Sequence, residues 1–171
     1  MLHSIPIVKF DSSRVIEAVK SDLRTNIEQI KEFGEADYSR VFDAAIRSIA
    51  AGRDLRLLRD ALLQMNVAGM TKQRAAEIAT LLNNKATVFM NKERLEALGI
   101  KYAIWMYSGA PCYSKPKAPL PGDMCQNAAH LAADGERFEI GKGMLVDGKW
   151  TWPGREEGCR CTSRSVIRDM E

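Results

Sequence analysis

The stretch TKQRAAEIATLLNNKATVFMNKERLEALGIKYAIWMY (residues 71–107) changes its period partway along. Up to Leu98 its apolar residues recur every three or four positions. Ala75, Ile78, Ala79, Leu82, Ala86 and Phe89 fall on one side of a helix that Thr71 opens and Gly99 closes. Asn83 and Asn84 are poor helix formers and mark a candidate kink. From Ile100 to Tyr107 the chain becomes aromatic and alternating, the pattern of a strand. A helical part therefore gives way near Gly99 to a part built on strands. The fold class read from this change is α+β, divided into residues 1–98 and 99–171.

Upstream, the helical period continues. Residues 1–10 read as an extended arm with Ile5, Ile7 and Phe10 apolar and Pro6 blocking helix. Asp11 or Ser12 can cap a helix over Ser13–Phe33, with apolar positions 15, 16, 19, 23, 27 and 30 and Gly34 as its stop. A second helix covers Ala36–Ala51, with Tyr38, Val41, Phe42, Ala45, Ile46 and Ile49 on one face and Gly52 at its end. Asp54 caps a third that runs to Met65 and buries Leu55, Leu58 and Leu62, followed by a turn at Gly69. The expectation is a bundle-like helical part. Nothing in it carries chemistry: there is no Gly-rich phosphate loop, no nucleophile elbow and no paired-histidine metal helix.

Downstream, SGAPCYSKPKAPLPGD (108–123) holds four of the six prolines and reads as an irregular loop. A short helix is expected over Met124–Ala133, and short strands over ERFEI (136–140) and GMLV (143–146), between Gly135 and Gly148. KWTWPGREEGCRC (149–161) is rich enough in turn residues to be read as irregular, and SRSVIRDM (163–170) as extended or helical. A loop-rich unit of about 70 residues buries little apolar surface, so it needs either docking or a staple.

Charge and hydropathy set bounds on function. The net charge of +3 is spread evenly: 15 basic against 13 acidic residues through Leu98, then 10 against 9. Arg53, Arg56 and Arg59 are interleaved with Asp54 and Asp60 and read as a solvated face, so direct nucleic-acid contact is not supported by charge. No apolar run is long enough to span a membrane, and MLHSIPIVKFDSSR lacks the pattern of a secretory leader. A cytosol-like compartment is the expectation.

In such a compartment, clustered cysteines favour metal or thiols over disulfides. Cys112, Cys125, Cys159 and Cys161, with His130, offer five soft or borderline ligands, of which a tetrahedral structural zinc would use four. Two alternatives stay open: buried thiols, and a disulfide such as Cys112 with Cys125. A bridge between Cys159 and Cys161 would be strained by the single residue between them. A catalytic reading would pair a cysteine with His130 and Asp123 or Asp134, or set Glu136, Glu156 or Glu157 beside a metal-bound water; no local signature supports either.

Five pieces in this half follow one order: Trp105-Met-Tyr-Ser108, Cys125-Gln-Asn-Ala-Ala-His130, Asp134-Gly-Glu-Arg-Phe138, Trp152-Pro-Gly and Cys159-Arg-Cys161. In that order and rough spacing, residues 71–167 resemble the head-morphogenesis domain of Mu F-like minor head proteins of bacteriophages. The sequence departs from many members of that family in the Lys- and Pro-rich loop separating Cys112 from Cys125.

The resemblance implies a structural virion component, not an enzyme, present in few copies at the portal or inner head. It would act in head assembly and in DNA packaging or delivery. Its implied partners are the phage portal protein and the major capsid protein, with a homo-oligomer or ring as a further form and no membrane contact. Its implied location is the virion head and connector, and the host cytoplasm during assembly. The motif positions carried over are His130, Gly135, Phe138, Trp152, Cys159, Arg160 and Cys161, with Trp105 on the tryptophan strand. Phe138 and Trp152 read as core anchors, Gly135 as a turn residue, and Arg160 as a fork reaching a carbonyl or carboxylate. The loop 113–122 and the N-terminal arm are the expected contact segments. A small zinc-dependent hydrolase or toxin-like domain is the alternative from another class.

Overall fold

A computed structural model of the chain describes residues 15–107 and 127–167. The N-terminal arm, its Asp11 or Ser12 cap, loop 113–122, Cys112, Cys125 and the start of the helix expected from Met124 lie outside the described residues. Helices occupy the first part and small antiparallel sheets the second, the α+β organisation the change of period predicts.

Four helices come first: α1 (Glu17–Glu28), α2 (Glu35–Ala50), α3 (Leu55–Gln64) and α4 (Lys72–Ala97). Val19, Leu23 and Ile27 of α1, Val41, Ala45 and Ile49 of α2, and Leu58 and Leu62 of α3 are buried, as are Ala75, Ile78, Ala79, Leu82 and Ala86 of α4. Asp54 caps α3 by accepting from Leu57 N at 3.1 Å, and Thr71 Oγ1 accepts from Arg74 N at 3.1 Å at the head of α4. Both side chains take up amide donors that the first turn of a helix leaves without partners.

Several details differ from the periodic reading, among them Ile16, which is exposed, and Leu55, which is half-buried. α1 stops at Glu28, yet Ile30 and Phe33 remain buried, because the chain continues in three-residue turns (Ile30 N to Ile27 O, Phe33 N to Ile30 O). Such turns preserve the spacing of a helix, so periodicity alone cannot see where the helix ends. Gly34 is correspondingly not the stop of α1. Its backbone is extended, and it is the N-cap of α2, with the Asp37 carboxylate accepting from its N–H at 3.3 Å.

The Asn83-Asn84 pair does not interrupt α4. Asn83 is fully buried, donates to Ala79 O and Ser48 Oγ at 2.9 and 3.0 Å, and so packs as a satisfied core amide. At the other end Gly99 adopts a φ of +73°, Gly99 N donates to Glu96 O and Ile100 N to Leu95 O. This is the paired bonding by which a left-handed glycine closes a helix.

The described residues form two compact units, one running to Ala86 and the other starting at Thr87. The division falls within α4, earlier than the change of period at Leu98–Gly99. The last turns of α4 belong with the second unit because Leu95 packs into its core.

That second unit is built on β1 (Tyr102–Met106), the middle strand of a three-stranded antiparallel sheet. On one side lies β2 (Arg137–Glu139), on the other β5 (Thr162–Ser165). A separate hairpin pairs β3 (Met144–Val146) with β4 (Lys149–Thr151), and a short helix, α5 (Ala128–Ala132), follows residue 127. Ala103, Trp105 and Phe138 point to the buried side of the sheet, where Ala133, Ile140, Val146, Cys159 and Cys161 join them.

β4 corrects the reading of residues 149–161 as wholly irregular. Val146 and Lys149 are joined by Asp147-Gly148, whose φ values are +50° and +73°. A two-residue turn with both centres left-handed matches the twist of the strands it connects, and Asp-Gly is a preferred pair for it. Of the segment from Ser163, residues up to Ser165 belong to β5, and residues 168–170 lie outside the described residues.

Gly143 has a φ of +83°, and a Cβ placed there would sit 2.6 Å from Thr151 O and 3.1 Å from Trp152 Cε2. Gly143→Ala combines a left-handed side chain with a clash against backbone. It is expected to cost about 2–3 kcal/mol, read as a lowered urea midpoint against wild type. An unchanged midpoint would contradict this packing.

Candidate metal centre

His130 reaches the core through local bonding. Asn127 is the N-cap of α5, its Oδ1 accepting from Ala129 N and His130 N, both at 3.1 Å. After α5 the chain turns at Gly135 (φ +79°), whose N–H donates to Trp105 O, while Trp105 N donates to Glu136 O. Asp134 adds a bond from Tyr107 N at 2.7 Å. These contacts hold the motif Asp134-Gly135 against β1, and the His130 ring meets Trp105 edge to face at 5.5 Å.

The cysteines arrive from the other end. Beyond β4, Arg155 N donates to Trp152 O and Cys159 N to Glu156 O. Thr151 Oγ1 donates to Glu156 at 2.8 Å. From Cys159 the chain leads into β5 with alternating burial, Cys159 and Cys161 buried and Arg160 between them exposed. With that alternation the two cysteines share a side, and this places both sulfurs of a Cys-x-Cys on one target.

Together the three form a compact donor set. Nδ1 of His130 lies 3.3 Å from Cys159 Sγ and 3.8 Å from Cys161 Sγ, and all three ligand atoms lie within 4.8 Å of one another. Zinc with bonds of about 2.3 Å to sulfur and 2.05 Å to nitrogen has tetrahedral S···N edges of about 3.6 Å, so the observed separations fit. Gly154 N donates to Cys159 Sγ at 3.3 Å, an amide bond that favours the thiolate a metal requires. Cys159 and Cys161 are not bridged to each other. The group can hold a metal ion.

Of the sequence-derived candidates, the fold thus brings together His130, Cys159 and Cys161, while Cys112 and Cys125 lie outside the described residues. Phe138 is buried, Trp152 is half-buried with its Nε1 donating to Ile140 O at 2.7 Å, and Gly135 is the left-handed turn residue expected. Gly154 and Asn127 were not singled out. The Pro153-Gly154 turn and an Asn at the head of an Ala-rich run were the signals that could have found them.

Burial pushes the His130 pKa below its ordinary value, opposed by the carboxylates of Glu156 and Asp147. The unfolded chain therefore takes up this proton first as pH falls. Stability from the neutral imidazole is fully present above about pH 6.5 and declines below it. Proton competition for a metal ligand acts in the same direction. Urea midpoints at pH 7.5 and 5.5 are expected to show a fall in wild type that is reduced in His130→Gln; equal falls would assign it to other groups.

Among the described residues, no helix is long and apolar enough to cross a membrane. Comparison of the chain with protein-family models, with curated proteins and with solved structures finds no match.

Proposed function

We propose that this chain is a structural minor head protein of a tailed bacteriophage, acting at the portal and inner capsid in head assembly, with a second unit stapled by structural zinc. The observation that carries the reading is the buried His130–Cys159–Cys161 trio. It joins two pieces of the motif order, the Cys-x-x-x-x-His and the Cys-Arg-Cys, in the unit whose size calls for a staple. Two thiolates and an imidazole at tetrahedral spacing suit zinc above the harder divalent ions. Structural zinc takes four ligands. The sequence names Cys112 and Cys125 besides these three, and the metal content of Cys112→Ser and Cys125→Ser tells which of them binds.

A hydrolase reading has one observation in its favour, the Glu156 carboxylate whose field reaches His130. Against it, the three ligand residues are no more than 5 % exposed and are packed with Trp105 and Phe138, whereas a catalytic site keeps a coordination position open to substrate. Glu156 is also engaged by Thr151 and by Lys149 at 2.9 Å, which suits a brace for the loop.

The assembly role is tested by mass spectrometry of purified phage particles induced from a strain that encodes the chain. The expected result is a few copies per particle, retained in heads stripped of tails. Its absence from particles in a strain that expresses it would sink the reading.

A further inference from the structure

The outward face of the three-stranded sheet is assembled from residues far apart in the chain. Ile104 of β1 pairs across to Arg137 of β2 on one side and to Arg164 of β5 on the other. Directly paired residues share a face, so the three form a row across the sheet, with neighbouring strands about 4.8 Å apart and the two arginines about 10 Å apart. Ala103 and Trp105 are buried on the opposite side, which puts this row outward.

Above and below Ile104 on β1 lie Tyr102 and Met106, at 37 % and 38 % exposure. The Arg137 guanidinium sits 4.2 Å over the Tyr102 ring. Glu139, opposite Tyr102, is an acidic residue on the same face. A guanidinium plane backed by an aromatic ring, a thioether and a second exposed cation on one sheet face are elements with which proteins hold unpaired bases and their phosphates. A hydrophobic partner would not require the flanking arginines. A purely acidic partner would make no use of the stacking surfaces.

We propose that this sheet face binds single-stranded nucleic acid, with Arg164 and the N–H edge of Arg137 on phosphates and the Arg137 guanidinium plane, backed by the Tyr102 ring, as the stacking platform. The even charge along the chain conceals the site, because the two arginines become neighbours of one residue only when β2 and β5 pair with β1. The site is independent of the head-protein reading and of the metal.

The test is fluorescence anisotropy of a labelled oligothymidylate with the full chain over a salt series. Binding is expected to weaken as salt rises. Arg137→Ser with Arg164→Ser should flatten the log–log slope by about 1.4, at about 0.7 per phosphate contact on a single strand. Tyr102→Ala should weaken binding about tenfold. Arg164→Lys, which keeps the charge, should leave the slope near wild type. Tryptophan emission confirms that each variant is folded. No binding at low salt, unaltered binding by the folded arginine double variant, equal affinity for duplex of the same length, or equal competition by polyglutamate would each overturn the proposal.

Discussion

On the proposed zinc staple, a chelator is expected to unfold the second unit, and Cys159→Ser and Cys161→Ser are each expected to reproduce that loss. Binding of zinc by a small structural site contributes apparent free energies of about 10–16 kcal/mol, comparable with or above the whole net stability of a domain, about 5–15 kcal/mol. Among the described residues of the second unit, the strands are three to five residues long, and two of the eight buried core residues are the cysteines themselves. Without a metal, the contacts between the His130 ring and the two sulfurs would be weak S–H···N ones.

The readout is unusually local. The three tryptophans, Trp105, Trp150 and Trp152, all lie beyond Thr87, so tryptophan emission reports the second unit alone. Chelator should red-shift the emission, and re-addition of zinc should restore it. Atomic absorption should give about one zinc per wild-type chain and little in either variant. Blue emission and an unchanged melting profile under chelator, with four titratable thiols, would remove the staple. The trio would then be a set of buried thiols beside a neutral histidine, and Cys→Ser would be a mild packing change.

Trp105→Ala is expected to lower stability by about 3–5 kcal/mol, the cost of emptying a large buried aromatic site. Trp105 is fully buried on the middle strand and meets both His130 and Phe138 edge to face, at 5.5 and 6.2 Å. Removal therefore opens a cavity where the sheet, α5 and the ligand set converge.

Trp105→Phe separates this packing role from hydrogen bonding. The indole Nε1 is buried and has no hydrogen-bond partner among the described residues. A buried donor without a partner carries a desolvation cost, so phenylalanine gives back part of the lost packing. The expected penalty is about 1–2 kcal/mol, well below that of alanine. Urea unfolding of the three proteins, followed at 222 nm or through Trp150 and Trp152, decides the order. If phenylalanine proves as costly as alanine, the indole N–H has a partner that matters. Zinc affinity in Trp105→Ala should fall as well, since His130 loses the ring that orients it.

Much of the first unit was legible because a helix writes its buried face into nearest-neighbour spacing. The positions from Val19 to Ala86 named as apolar stripe are largely those that are buried, and Asp54, Thr71 and Gly99 mark helix ends where their side chains or backbone freedom require. The end of α1 was not legible, because three-residue turns at Ile30 and Phe33 keep the same spacing without the helix. The Asp147-Gly148 hairpin was legible in principle. Its strands are only three residues long, too short for alternation to stand out from the surrounding turn residues.

The candidate site divides in the same way. His130, Cys159 and Cys161 could be named from residue type and compartment, and the sequence by itself determined the α+β division and the short list of ligands. Only the tertiary structure decided that His130, Cys159 and Cys161 meet, that Gly154 adds an amide to Cys159, and that Arg137 and Arg164 flank Ile104. The physical reason is the range of the forces read. Helix period, caps and turns depend on residues within about four positions of one another, and these are visible along the chain. Strand register and the convergence of residues 130 and 159 depend on which distant surfaces bury each other, and that is settled only when the chain packs.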